Sequence, residues 1–350
     1  MFVTFNGKKL PVAEGRTVLE AARDNGLFIP SLCYHQKTGP AGKCRACVVE
    51  IEGMRGLQTS CTIPAKDGMV VTTDSPKVLA AQRLVVDLML SSGQHDCLSC
   101  EQNGSCELQN AAYFLGIERP SFRVESEPDF DESSEFIYRD HEKCIQCGRC
   151  IAGCNKTVVN EVLDFGWRGH NTKVICDDDL PMGTSSCVQC GECVQLCPTG
   201  AIIDKRSRGQ ARSWEVEKVE TVCPYCGVGC RIALHVDRKT NRIVRATGVE
   251  DAPTNLGMLC VKGRFGFDFV GSPERLTTPL VKENGKFREA SWEEAYSLIS
   301  SKLGEIRTKH GADSIGGLCS AKCTNEENYL FQKFMRAVIG TNNVDHCARL

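Results

Sequence analysis

Twenty-three of the 350 residues are cysteine, and most stand at intervals that bring thiolates together. "CIQCGRCIAGC" supplies Cys144, Cys147, Cys150 and Cys154, and "CVQCGECVQLCP" supplies Cys187, Cys190, Cys193 and Cys197, closed by Pro198. "CYHQKTGPAGKCRAC" and a later cysteine supply Cys33, Cys44, Cys47 and Cys61, "GQHDCLSCEQNGSCELQ" supplies His95, Cys97, Cys100 and Cys106, and "CPYCGVGC" with a distant partner supplies Cys223, Cys226, Cys230 and Cys260. The N-terminus has no apolar secretion signal or paired arginines, so these thiols belong in a reducing compartment, where cysteine serves metals or redox chemistry rather than disulfides. Spacing then chooses between zinc, iron-sulfur clusters and free core thiols.

The two long runs have the C-x2-C-x2-C-x3-C spacing of the two-cluster bacterial ferredoxin, which leaves little room for another reading. In that arrangement each run gives three thiolates to one [4Fe-4S] cluster and its fourth to the other, so Cys154 is expected with the second trio and Cys197 with the first. The loop from Cys33 to Cys61, set behind a hairpin and a helix, resembles the β-grasp [2Fe-2S] domain at the head of complex I large subunits and related dehydrogenases. Its glycines Gly39 and Gly42 allow tight backbone approach, and zinc, which favours compact knuckles, is the plain alternative. The second group resembles the one-histidine, three-cysteine module of the same families. There three residues separate the histidine from the first cysteine, whereas here only Asp96 does; either His95 still binds, or Asp96 or an outside ligand takes the position. The CxxC pair of the fifth group alone could be a zinc ribbon. With Cys230 and "CVKG" at Cys260 it resembles the [4Fe-4S] domain that opens molybdopterin oxidoreductases, which implies that Lys262 lies between cluster and pterin, against the plain alternative of a solvated lysine. Cys176, Cys319, Cys323 and Cys347 are left as core or loop thiols, and His35 and His141 as structural.

These ligands need elements to hold them. "MFVTF", the turn Asn6-Gly7 and "TVLEAARDNG" predict a hairpin and a helix ending at Gly26. Residues 155–186, including "TVVNEVLDFG", predict a strand insertion between the two runs. "SWEEAYSLISSKLGEIRTKHG" predicts an amphipathic helix with a Ser291–Glu294 capping box and Ala295, Ile299, Leu303 and Ile306 on one face. "DSIGGLCS" predicts a buried strand, and "TNEENYLFQKFMRAVIG" a second helix boxed by Thr324 and Glu327 and stopped at Gly340. Helix, strand, helix begins an α/β layer with apolar faces still to cover, so that domain is expected to be incomplete. The fold class is therefore α+β and multi-modular. Its expected units are a [2Fe-2S] β-grasp ferredoxin (1–78), a one-histidine, three-cysteine [4Fe-4S] module (79–120) and an acidic linker (121–137). A two-[4Fe-4S] ferredoxin domain (138–210), a molybdopterin oxidoreductase [4Fe-4S] domain (216–272) and a truncated molybdopterin-binding α/β domain (273–350) follow. Units this small cannot bury enough apolar surface alone, so metal is expected to be part of their core.

A net charge of −2 excludes a basic field for nucleic acid, and the longest apolar tract, at 78–90, is broken by Arg83 and Asp87, so no membrane span is expected. The expected location is cytoplasmic. "SAKCTNEENYLFQKFMRAVIGTNNVDHCARL" resembles molybdenum- or tungsten-dependent formate dehydrogenase catalytic subunits, in which selenocysteine or cysteine followed by histidine comes next and binds the metal. That resemblance implies a selenoprotein whose reading frame was closed at a UGA codon, with no catalytic residue before Leu350; a truncated chain is the rival explanation. It further implies interconversion of formate and carbon dioxide at a metal held by bis-molybdopterin guanine dinucleotide. One [2Fe-2S] and four [4Fe-4S] clusters would carry electrons to a flavin- or NAD(P)-binding diaphorase, ferredoxin or hydrogenase subunit. No Gly-rich dinucleotide fingerprint is present in the sequence itself. The large iron-sulfur subunit of a complex I type NADH dehydrogenase, an iron-only hydrogenase-like subunit and a pure electron-transfer module are the competing readings.

Overall fold

The computed structural model describes residues 1–122 and 129–347. Residues 123–128 of the acidic linker and the last three residues of the final quoted stretch lie outside the described residues.

Alternation in the first strand puts Val3 and Phe5 inside and Phe2 outside. β1 (Phe2–Phe5) turns at Asn6 and Gly7, both at positive φ, into β2 (Lys8–Pro11). α1 (Val18–Asp24) starts on a complete Thr17–Glu20 capping box and buries Val18, Leu19, Ala21 and Ala22 against the sheet. β3 (Val48–Ile51), β4 (Gln58–Thr59) and β5 (Val70–Thr72) complete the order β2-β1-β5-β3-β4, with β1 and β5 parallel.

Two helices, α2 (Pro76–Ser91) and α3 (Glu107–Phe114), carry the chain to the paired runs. There β6 (Phe130–Asp131) and β7 (Ile137–Asp140) precede α4 (Arg149–Ala152), the hairpin β8 (Leu163–Gly166) and β9 (Lys173–Cys176), α5 (Glu192–Leu196) and β10 (Ile202–Asp204). The described part of the acidic stretch is thus built into the β10-β7-β6 sheet, and Asp131 pairs with Arg139 at 2.8 Å and accepts the Met182 amide. The inserted strand is shorter than its apolar sequence predicts, because Val159 and Glu161 sit at positive φ and break extended backbone before Leu163.

β11 (Val216–Val222), β12 (Arg231–Asp237) and β13 (Ile243–Gly248) form an antiparallel sheet followed by α6 (Val261–Phe265). A hairpin of β14 (Leu280–Glu283) and β15 (Lys286–Glu289) leads to α7 (Trp292–His310). β16 (Gly317–Ser320), α8 (Asn325–Lys333) and β17 (Val344–Cys347) follow, with β16 and β17 parallel. The Thr324–Glu327 box closes, whereas Glu294 leaves its box half made because its carboxylate binds Arg288. The expected burial of β16 and of the α7 face is not seen: Leu318 is 83% exposed, Ile299 53% and Ile306 39%, since a two-stranded sheet offers nothing to cover them.

Candidate metal centres

Each cysteine group gathers, and the sequence elements explain how. In the first, Gly39 and Gly42 at positive φ fold the loop over so tightly that a Cβ on Gly42 would stand 3.3 Å from the Thr62 side chain. Cys33, Cys44, Cys47 and Cys61 are all buried. The Cys44 amide donates to Cys33 Sγ at 3.4 Å. Thiol contacts from Cys44 and then Cys61 pull Cys33 well down, while their contacts to Cys33 push Cys44 and Cys61 up. The four thiols are thereby held against one another in a buried loop.

His95 lines one cavity with Cys97, Cys100 and Cys106. Its Nε2 is sealed from water with no hydrogen-bond partner, while the ring bonds the Met89 backbone, which leaves Nδ1 for that contact. A ligating histidine is commonly oriented in this way. Burial holds the ring below the ordinary histidine range, so the neutral, ligand-competent form is favoured. Asp96 instead accepts the Ser99 hydroxyl at 2.7 Å on the exposed side. The missing spacer residues are accommodated by the loop, and the orphaned imidazole nitrogen fits a metal.

The crossed arrangement expected of the two long runs is visible in side-chain placement. Cys144, Cys147 and Cys150 share a largely apolar cavity with Cys197 from the other run. Cys154 lies within electrostatic reach of Cys187, Cys190 and Cys193. Burial pushes Cys144 up to about 11 and Cys147 up to about 12, and Cys150 and Cys193 well above the ordinary thiol value. Crowded thiols in an apolar pocket resist ionising until a cation compensates them, which is the environment an iron-sulfur core demands. Arg149 Nε is another sealed polar atom without a partner, and its guanidinium acts on Cys147 of this pocket.

The fifth group is more open, with Cys223 buried, Cys230 half-buried and Cys226 and Cys260 exposed. The Cys223 amide donates to the Cys230 carbonyl at 2.8 Å, closing the loop. Lys262, exposed on α6, lines cavities with Tyr225 and Phe269. A Cβ on Gly227 would lie 3.6 Å from the Ala321 carbonyl oxygen, so this loop faces the turn at the carboxyl end of β16. In parallel sheets that end is where ligands bind.

Among the described residues no three such groups converge on a point for a single metal ion. Cys176 is a fully buried core thiol, and Cys319 bonds Asn328. His35 and His141, expected to be structural, are held below the ordinary range mainly by burial.

The groups are also neighbours. One apolar cluster contains Cys33, Cys44, Cys106 and Cys147, from three groups; a second contains Cys150, Cys176, Cys193 and Phe265 of α6. A Cβ on Gly200 would stand 2.6 Å from Cys100 Sγ. Sequence spacing missed the ion pairs between the units, buried Arg149 with half-exposed Glu107 and the fully buried Arg264 with Glu192, because nothing local to either partner marks them.

Family profiles match in the same order. A 2Fe-2S iron-sulfur cluster binding domain matches residues 2–76, an NADH-ubiquinone oxidoreductase-G iron-sulfur binding region 82–121, and a 4Fe-4S dicluster domain 143–201. A molybdopterin oxidoreductase Fe4S4 domain matches residues 216–272, and the molybdopterin oxidoreductase profile itself 275–350. The last two profiles are molybdopterin oxidoreductase domains, and the relatives that the chain resembles are named as oxidoreductases. The chain carries one [2Fe-2S] domain and several [4Fe-4S] domains, in the α+β multi-modular fold expected. It is 39% identical to the probable oxidoreductase YjgC of Bacillus subtilis, over 99% of this chain and 39% of that protein. It is 39% identical to the NADPH-Fe(3+) oxidoreductase subunit alpha of Geobacter sulfurreducens, over 99% of this chain and 40% of the relative. The putative formate dehydrogenase YrhE of Bacillus subtilis is 36% identical, over 99% and 39%. The chain therefore spans about 40% of the length of these curated relatives. Among solved structures, an NAD+-reducing [NiFe]-hydrogenase in the H2-reduced state matches with a TM-score of 0.56 and 31% identity, over 60% of this chain and 89% of that one. Among the described residues no helix is long and apolar enough to cross a membrane.

Proposed function

We propose that the chain is the iron-sulfur portion of a cytoplasmic formate dehydrogenase alpha subunit, holding one [2Fe-2S] and four [4Fe-4S] clusters. The single observation that carries this reading is the unbroken adjacency of the five cysteine groups, which ends at the turn after β16. Bound clusters supply single-electron transfer, and a molybdenum or tungsten bis-molybdopterin guanine dinucleotide in the whole protein supplies two-electron exchange with formate or carbon dioxide.

The work of this chain's residues is to hold and insulate. Cys33, Cys44, Cys47 and Cys61 hold the [2Fe-2S] site. His95, Cys97, Cys100 and Cys106 hold the second; Cys144, Cys147, Cys150 and Cys197 the third; Cys187, Cys190, Cys193 and Cys154 the fourth; and Cys223, Cys226, Cys230 and Cys260 the fifth. Lys262 is assigned to the pterin side of that last site. The first two sites both border the third, so the row forks away from the substrate end. Relatives named as a putative formate dehydrogenase and an NADPH-Fe(3+) oxidoreductase, and the hydrogenase neighbour, favour formate as substrate and a flavin-bearing diaphorase, ferredoxin or hydrogenase subunit as partner. The unit boundaries read from the sequence are retained, except that residues 129–137 join the dicluster unit.

A large subunit of an NADH dehydrogenase of complex I type is the second reading, favoured by the match over 82–121. Formate added anaerobically to the full-length protein, followed by electron paramagnetic resonance, separates them. Formate should reduce the clusters, and Cys226→Ser should block that reduction beyond the fifth site. Clusters that dithionite reduces and formate leaves oxidised would refute the formate assignment.

A further inference from the structure

The two cysteine runs are repeats, and one position breaks the repeat in sign. The residue before the third cysteine is Arg149 in the first run and Glu192 in the second. Both are almost wholly buried, and each follows a left-handed glycine, Gly148 or Gly191, at the start of a short helix. Arg149 makes a two-armed contact with Glu107 of the His95 unit, one arm at 2.7 Å, and reaches the Ser31 carbonyl of the first unit at 3.4 Å. Glu192 receives Lys37 Nζ from the first unit at 2.7 Å and Arg264 Nη2 from α6 at 3.3 Å.

Arg264 also donates to the Cys190 carbonyl at 2.7 Å and to Gln195 Oε1 at 2.8 Å. A Cβ on Gly191 would stand 2.3 Å from Arg264 Cδ, so the repeat's glycine leaves the space this side chain occupies. At Gly148 the equivalent space faces Lys43 Nζ at 3.5 Å and the Phe165 ring. Buried ion pairs are weak stabilisers, because desolvation offsets most of their attraction, but a mismatched buried charge is heavily penalised. Were the dicluster unit docked end for end, Arg149 would meet Arg264 and Lys37, and Glu192 would meet Glu107. Both contacts would be repulsive, with Arg149, Glu192, Lys37 and Arg264 nearly sealed from water, which is how specificity is built against a wrong partner.

We propose that Arg149 and Glu192 are positioning residues that key the dicluster unit by charge. One end is keyed to Glu107 of the His95 unit and the other to Lys37 of the first unit and Arg264 of the Cys223 unit, so the two four-iron sites have buried neighbours of opposite sign, Arg149 and Glu192. This rests on the reading that those sites hold clusters. Glu192→Gln removes a negative charge beside Cys190 and leaves Arg264 without its carboxylate, which makes that site easier to reduce. Arg149→Gln removes the positive charge beside Cys147, which makes the other harder to reduce.

The test is a potentiometric titration of the anaerobically assembled chain, read by electron paramagnetic resonance. The reduced-to-oxidised ratio at fixed potential should rise about tenfold at one site and fall about tenfold at the other, roughly 59 mV each way for a one-electron couple. Arg149→Lys should restore the unaltered value. Shifts in the same direction, or none with iron content intact, would overturn the key. If the single variants lose iron, the exchange of Glu107→Arg with Arg149→Glu decides: recovery of iron and of cluster spin coupling supports it, and continued loss overturns it. An unaltered chain with no cluster signal would instead sink the functional reading beneath it.

Discussion

His95 is where a single side chain carries the most information. Its Nε2 is sealed and unpartnered while the other face of the ring is anchored to the Met89 backbone, so the residue is oriented for a bond that the protein alone does not make. His95→Ala should cost the second site its cluster, seen as a loss of about four irons per chain with the remaining signals unchanged. His95→Cys should keep the iron but lower that cluster's potential, since a thiolate replaces a neutral ligand. Full iron in His95→Ala would hand the position to another ligand. The sequence left this residue open because its spacing to Cys97 departs from the family pattern; burial and hydrogen bonding, which spacing does not encode, favour it.

Among the elements, the β11-β12-β13 sheet contains a built-in acid sensitivity. His235 on β12 is paired in register with Lys218 on β11 and Arg245 on β13. Burial first, then Arg245 and Lys218, lowers it to about 3, from an ordinary value of about 6.5. Between those values the unfolded chain binds a proton that the folded chain refuses. Its contribution is therefore complete above about pH 6.5 and is lost as pH falls toward 3, by up to about 1.4 kcal/mol per unit. His235→Gln should flatten the fall in urea midpoint between pH 7.5 and 5.5 relative to the unaltered chain; equal slopes would remove the effect. Element by element, the sequence was most legible where the signal is local. Capping boxes at Thr17 and Thr324 and the turn at Asn6-Gly7 stand where their chemistry requires. The strand before Leu163 was misread because apolar residues can occupy positive-φ turns, and the exposure of Ile299 and Leu318 depends on what packs against them, not on their own periodicity.

Taken as a whole, the molecule replaces much of its hydrocarbon core with cysteine. Two of its apolar clusters interleave the candidate ligand thiols with Val86, Leu108, Ile137 and Phe265, so on the proposed reading cluster binding and folding should be one event for these units. The ligand groups were legible in the sequence because each is a short run with fixed intervals. Their order in space was not, because it is fixed by contacts such as Arg149 with Glu107 and Arg264 with Glu192, between residues far apart in the chain. The most direct measurement is iron, zinc and acid-labile sulfide per chain, with electron paramagnetic resonance after reduction, on anaerobically assembled protein. Five clusters require about 18 irons with matching sulfide and overlapping low-temperature signals. A folded, colourless, zinc-loaded chain that stays silent on reduction would contradict the account.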